Sequence, residues 1–171
     1  MRIHVTGASG AGVTTLGAAL ASALAVPHHD TDDFYWLPTD PPFQTKRPVP
    51  RRIDLMRQMF LPRPGWVLSG SLDSWAADLV PHFDRVVFVQ AETGLRLDRL
   101  REREARRGQT GGGQLQAFLE WAADYETGPQ VGRSRHRHET WLQGLPCPVV
   151  RVDGSQSVEG LVAQVLGVAD R

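Results

Sequence analysis

One cysteine, Cys147, and one lysine, Lys46, stand in the 171 residues of the chain. A lone cysteine excludes an internal disulfide framework and any zinc cluster built on cysteines. The 19 basic and 19 acidic residues cancel to a formal charge of zero. A neutral chain has no global field to draw nucleic acid or an anionic membrane to it, so neither is expected as a partner. No run approaches the roughly 18–20 apolar residues of a membrane span. The chain opens on a strand-like run rather than a basic leader with an apolar core, so a cytoplasmic location is expected. Internal repeats are lacking, and only the triple glycine at 111–113 is low in complexity.

What is present is an ordinary globular composition, 41% apolar and 22% charged. The length suits one domain, residues 1–171, with room for a three-layer core. All but one of the basic residues are arginine. Arginine grips phosphate oxygens with two donors at once, although a GC-rich genome would give the same bias.

Apolar patterning divides the chain into alternating strands and helices. "RIHVTG" (Arg2–Gly7) reads as a first strand and 13–25 as a helix. Val26–Asp33 reads as a second strand that breaks into an acidic turn. Leu37–Pro50 holds five prolines and reads as an irregular surface excursion. Helices are expected over 51–61, 93–107, 115–125 and from 157 onward, and strands over 65–71, 84–91 and 147–154. Such alternation implies crossover units and a parallel sheet with helices on both faces, an α/β sandwich. Ligands of such sheets sit at the carboxyl ends of the strands. The polar clusters 7–15, 30–33, 69–73 and 153–157 each follow a strand.

The first cluster, "GASGAGVTT", runs from Gly7 through Ala8, Ser9, Gly10, Ala11, Gly12, Val13 and Thr14 to Thr15. Its spacing is that of the phosphate-binding loop G-x-x-x-x-G-K-[ST], with Val13 in place of the lysine. Successive glycines let the backbone N–H groups curl into an anion nest at a helix N-terminus. The Thr14 hydroxyl is placed for Mg²⁺ and that of Thr15 for an adjacent phosphate. None of this requires the lysine, which neutralises charge on the transferred phosphoryl group. Its loss should slow the reaction more than it weakens ground-state binding. The missing charge could come from Lys46 or Arg47 in the excursion, or from arginines of helix 93–107 and the segment after it.

On that helix Arg96, Arg99, Arg103 and Arg106 form one stripe, and "GQTGGG" beyond it supplies a hinge for a closing lid. Arg133, Arg135 and Arg137 make a second cluster. Arg103, Arg107, Arg133 and Arg135 are the expected phosphate contacts, weighed against a solvated face of ion pairs. Ser69, Gly70, Ser71 and Asp73 are candidate acceptor contacts. Phe34–Trp36 could offer a flat wall to a base or sugar, with Trp75 opposite, or could simply cover the core. His28 and His29 lie beside Asp30, Asp32 and Asp33, but neighbours on a strand point to opposite faces. Mg²⁺ arriving with a nucleotide therefore outweighs a transition-metal cluster.

In motif order, nearly the whole chain resembles the adenylate kinase and shikimate kinase group of P-loop phosphotransferases. "GASGAGVTT" matches the loop apart from Val13, and "DTD" (Asp30–Asp32) resembles the paired acid after the second strand of shikimate-type kinases. "LDRLREREARRG" (Leu97–Gly108) resembles the arginine-rich helix that leads into the family's lid, and "RVDGSQSVEGL" the adenine-framing loop after the last strand. The chain is also similar to small bacterial proteins labelled adenylate-kinase-like or topology-modulation-like. The resemblance implies a five-stranded sheet ordered 2-3-1-4-5, an acceptor-binding excursion over 34–64 and a lid over 101–140. It implies ATP and Mg²⁺ as cofactors, with Thr14 and Asp30 serving the metal. Asp32 would bind the acceptor hydroxyl and take its proton. Arg103, Arg133 and Arg135 would act on the transferred phosphate, and Arg107, Gly154 and Ser155 would hold the nucleotide. The expected activity is phosphoryl transfer to a nucleotide, nucleoside or small hydroxylated metabolite by a monomer or homodimer. The alternative is a nucleotide-binding sensor without turnover, because the loop lysine is absent. A GTPase is disfavoured, since no Asn-Lys-x-Asp element reads guanine.

Overall fold

Two buried runs, Ile3–Val5 and Val86–Val89, set the middle of the molecule. The structure, a computed structural model, describes residues 1–72, 74–108, 111–128 and 133–167. Its strands are β1 (Arg2–Gly7), β2 (His28–Asp30), β3 (Trp66–Ser69), β4 (Arg85–Gln90) and β5 (Val149–Asp153). They form one all-parallel sheet in the order β2-β3-β1-β4-β5, as the resemblance implied. Between them run α1 (Val13–Leu24), α2 (Thr31–Tyr35), α3 (Val49–Met59), a 3-10 turn at Ala77–His82, α4 (Thr93–Arg106), α5 (Gly113–Ala123), α6 (Arg135–Gln143) and α7 (Val158–Gly167).

Side chains of a strand alternate between faces, and the apolar residues divide accordingly. Ile3, Val5, Val67, Val87 and Val89 pack with Leu16 and Leu20 of α1 and Leu161 and Val165 of α7. Trp66, Leu68, Val86 and Phe88 pack on the other face with Ile53 and Met56 of α3, Leu79, and Leu142 of α6. A third cluster of Leu100, Leu119 and Ala122 seats α5 on α4. In register, Val5 stands beside Ser69, Ser69 beside Asp30, Gly7 beside Val89, and Gln90 beside Asp153. The polar clusters after the strands therefore meet along one edge.

Several expected boundaries shift for local reasons. The second strand pairs only over His28–Asp30, because Asp30 accepts the Asp32 N–H at 3.0 Å and caps α2. Helix α3 starts at Val49, earlier than expected, with Pro50 tolerated in its first turn. The segment "RHRHETWLQ" forms α6, which its polar sequence did not announce. Ser134 caps it through the Arg137 N–H at 3.4 Å, and His138 and Leu142 are buried. Asp73 and Gln109–Thr110 of the hinge lie outside the described residues. No helix among the described residues is long and apolar enough to cross a membrane.

Met56 has no exposed surface, whereas Met59, one turn on, is 46% exposed. Met56→Ala is expected to cost about 2–5 kcal/mol in urea unfolding. Met59→Ala should stay within about 0.5 kcal/mol of the wild type.

Candidate nucleotide and acceptor site

Helix α1 starts with Gly12 in a left-handed conformation, φ 102°, and no side chain caps it. Its first N–H groups are left for whatever occupies the loop ahead of it. Gly10 is also left-handed, φ 82°, and a Cβ there would run into the Arg96 carbonyl. Glycine is required at that point by both dihedral and space. The Val13 side chain is partly buried and packs against the apolar cluster beneath α1.

Across from the loop, the Thr14 hydroxyl donates to Asp30 Oδ2 at 2.9 Å. The other oxygen of Asp30 holds the start of α2 and so places Asp32. Asp32 is open to solvent at its edge but crowded by protein. Lost hydration, reinforced by the negative charge of Asp30, raises its pKa, and Arg133 acts against that rise.

The arginines separate into two groups. Arg133 Nη1 donates to Ser9 Oγ of the loop at 3.1 Å, and its guanidinium lies 5.9 Å from the Trp121 ring. Arg99 spans the Ala11 carbonyl (3.4 Å) and the Gly154 carbonyl (2.9 Å), so it joins the phosphate loop to the turn after β5. Arg96 is fully buried and donates to the carbonyls of Ser9, Ala91 and Ala122 at 3.0–3.3 Å. Arg103 and Arg107 instead both turn to Glu104, at 2.9 and 3.2 Å. Arg135 pairs with Glu126 at 2.9 Å and, with Arg151, lines a cavity of about 880 Å³ beside the loop. The stripe on α4 explains part of this division. A helix rises about 1.5 Å per residue, so Arg96 and Arg99 sit near the sheet edge and Arg103 and Arg107 progressively farther out. Arg96 and Arg99 were visible as members of the stripe; their nearness to the helix start was the signal that could have singled them out.

No protein-family model matches the chain. A Bacillus subtilis (strain 168) protein, "Uncharacterized protein YqaC", is 40% identical over 171 residues, covering 96% of this chain and 94% of the relative. The chain belongs to the YqaC family. Shikimate kinase from Bacteroides thetaiotaomicron superimposes with a TM-score of 0.63 at 17% identity, over 98% of this chain and 97% of the other. A gluconokinase from Sinorhizobium meliloti 1021 gives 0.58 at 17% identity, over 97% and 89%. This member of the YqaC family thus has the P-loop kinase fold.

The excursion spends its own cations internally in this YqaC-family chain. Arg47 donates to the carbonyls of Phe34 (3.0 Å) and Trp36 (3.1 Å), and Lys46 lies 5.8 Å from the Tyr35 ring. Arg52 is buried against Tyr35 and Trp75, 3.8 and 4.9 Å from their rings, with Nε on the Arg47 carbonyl at 2.6 Å. The two rings meet edge-on, with centroids 6.0 Å apart, and the guanidinium covers both, while Phe34 belongs to the core. Burial lowers the Arg52 pKa, yet its guanidinium meets no carboxylate among the described residues. The two histidines part as alternation requires. His28 Nε2 lies 2.9 Å from Ser69 Oγ, which donates to the Val13 carbonyl at 3.4 Å, while His29 stacks on Phe60 at 4.3 Å. Ser71 points to His138, and Gly70, φ 123°, lets β3 close on Thr31.

The raised pKa of Asp32 has a signed consequence for stability. The folded state binds a proton more readily than the unfolded state, so stability falls as pH rises from the ordinary 3.8 through the folded value. Asp32→Asn should raise the melting temperature at pH 7, and the gain should shrink toward zero below pH 4. A pH series of thermal melts checks this, and an Asp32→Asn protein less stable at pH 7 would contradict the desolvated placement.

Proposed function

We propose that the protein transfers the γ-phosphoryl group of ATP, with Mg²⁺, to a hydroxyl of a small hydroxylated acid. One observation carries this reading. Arg133 hydrogen-bonds the phosphate loop and is felt electrostatically by Asp32, so a cation stands between a phosphate cradle and a carboxylate base.

The uncapped α1 and its left-handed glycines hold the phosphates through backbone N–H groups. The Thr14 hydroxyl and the Asp30 carboxylate, already 2.9 Å apart, are a hard-oxygen pair that suits Mg²⁺. That ion, when bound, neutralises charge on the phosphate oxygens. Arg133 takes over the charge that Val13 does not supply, and as a guanidinium it can meet two oxygens at once. Asp32 accepts the proton of the acceptor hydroxyl, and its raised pKa makes it a stronger base than an ordinary aspartate. Arg99 fixes the distance between the Ala11 and Gly154 loops, and Asp153 holds the Ser155 N–H at 2.9 Å, so the turn near the base is set in advance. Arg52, buried without a carboxylate, favours an acceptor with a negative edge. That the same fold carries a gluconokinase and a shikimate kinase agrees with this choice.

Val13, an apolar residue where the loop spacing calls for a lysine, favours a second reading: a sensor that binds nucleotide without turnover. Acceptor-dependent ADP formation from Mg·ATP, tested with pooled hydroxy acids, sugars, nucleosides and nucleoside monophosphates, separates the two. The kinase should release ADP with the hydroxy-acid pool, and Asp32→Asn should lower kcat by at least about 10²-fold. Saturable ATP binding with no ADP from any pool would establish the sensor.

A further inference from the structure

Outside the phosphate loop, one group of buried polar side chains centres on Tyr125 and His138. His138 is fully buried, with Nδ1 2.8 Å from the Tyr125 hydroxyl and Nε2 3.3 Å from Ser71 Oγ. Burial holds the Tyr125 phenol protonated, its pKa raised well above the usual value. The Tyr125 carbonyl accepts the Arg135 N–H at 2.8 Å, and its ring lies 5.2 Å from the Arg96 guanidinium. One residue is thereby fixed to α6 by backbone and by side chain, and to the arginine that holds the Ser9 carbonyl.

Two buried polar side chains are costly unless they bond each other, and an apolar pair of similar shape would fill the space without that requirement. What a Tyr–His pair adds is direction. It fixes where α6 begins, and the residue just before the α6 cap, Ser134, is Arg133. The Arg133 side chain then reaches Ser9 from a base whose position the Tyr125 and His138 bonds determine.

We propose that the Tyr125–His138 pair is a positioning device that holds Arg133 against the phosphate loop, with Ser71 as its footing at the end of β3. This rests on the reading of Arg133 as a phosphate contact. Tyr125 and His138 touch no reacting atom on this account; they act through Arg133. The brace also ties the β3 end, on the acceptor side, to the cation on the nucleotide side.

A double-mutant cycle on Mg·ATP binding, measured by titration calorimetry, tests it. Arg133→Gln removes a charge-assisted contact and is expected to raise Kd about tenfold. Tyr125→Phe keeps the ring under Arg96 and removes only the hydroxyl, and an expected rise of about threefold follows if it acts through Arg133. In the Arg133→Gln background Tyr125→Phe should then add less than about 1.5-fold. Independent losses that multiply to about thirtyfold would overturn the positioning role, since a merely structural tyrosine would give that result. Should Tyr125→Phe not fold, Ser71→Ala, at the outer end of the brace, is put through the same cycle with the same non-additivity expected. A wild-type chain that binds no Mg·ATP would overturn the phosphate reading and this inference together, whereas binding with multiplicative losses overturns this inference alone.

Discussion

The guanidinium of Arg96 is the interaction on which the site is built. It is buried, and its donors are met by the carbonyls of Ala91, Ser9 and Ala122 and by the Thr93 hydroxyl. Carbonyl dipoles do here what a carboxylate usually does for a buried cation. Because those acceptors come from the end of β4, the phosphate loop and the end of α5, the three segments are held as one body. A cradle fixed in this way needs little rearrangement when charge arrives, and that is the condition under which fixed dipoles are most effective. Gly10 completes the contact: its lack of a side chain lets the loop lie directly on the Arg96 backbone.

Around that body the level strand ends distribute the remaining chemistry. Arg99 closes the gap between the loop and the turn after β5, while the Thr14–Asp30 bond links α1 to the end of β2. His28 and Ser69 support the Val13 carbonyl from below. Opposite them, Arg47 and Arg52 stiffen the base of the proline-rich excursion by bonding backbone carbonyls rather than acids. The protein has almost no lysine, and arginine repeatedly serves as a structural crosslink, a task that suits a planar fork with five donors.

Much of this was legible because it is local. The phosphate loop was read from glycine spacing, the sheet from runs of β-branched residues, and the Asp30–Asp32 turn from its place after a strand. The rest depends on contacts between distant segments. The arginines of α4 and of the segments after it look alike in sequence, but Glu104 draws off Arg103 and Arg107, and Glu126 draws off Arg135. Arg133 meets Ser9 across more than a hundred residues, which no window can show. Helix α6 escaped notice because its stability comes from two buried side chains and a cap, not from a repeated apolar face. The aromatic cluster depends on distant segments in the same way: Tyr35 and Trp75 meet edge-on, and Arg52 from α3 packs against both.

The proline-rich excursion has a narrow neck. Tyr35 and Leu37 pair with Arg47 and Thr45 through backbone bonds of 2.8 Å, with Trp36 and Lys46 bridged between them, and Arg47 clamps the same neck from its side chain. The seven residues beyond it, 38–44, hang from a closed base, and Phe43 among them is half exposed. Length and composition of that tip can therefore drift without moving Asp32 or Arg52. The entropy of closing such a loop changes little with its length, so residues added at the tip cost little and leave the neck as it is.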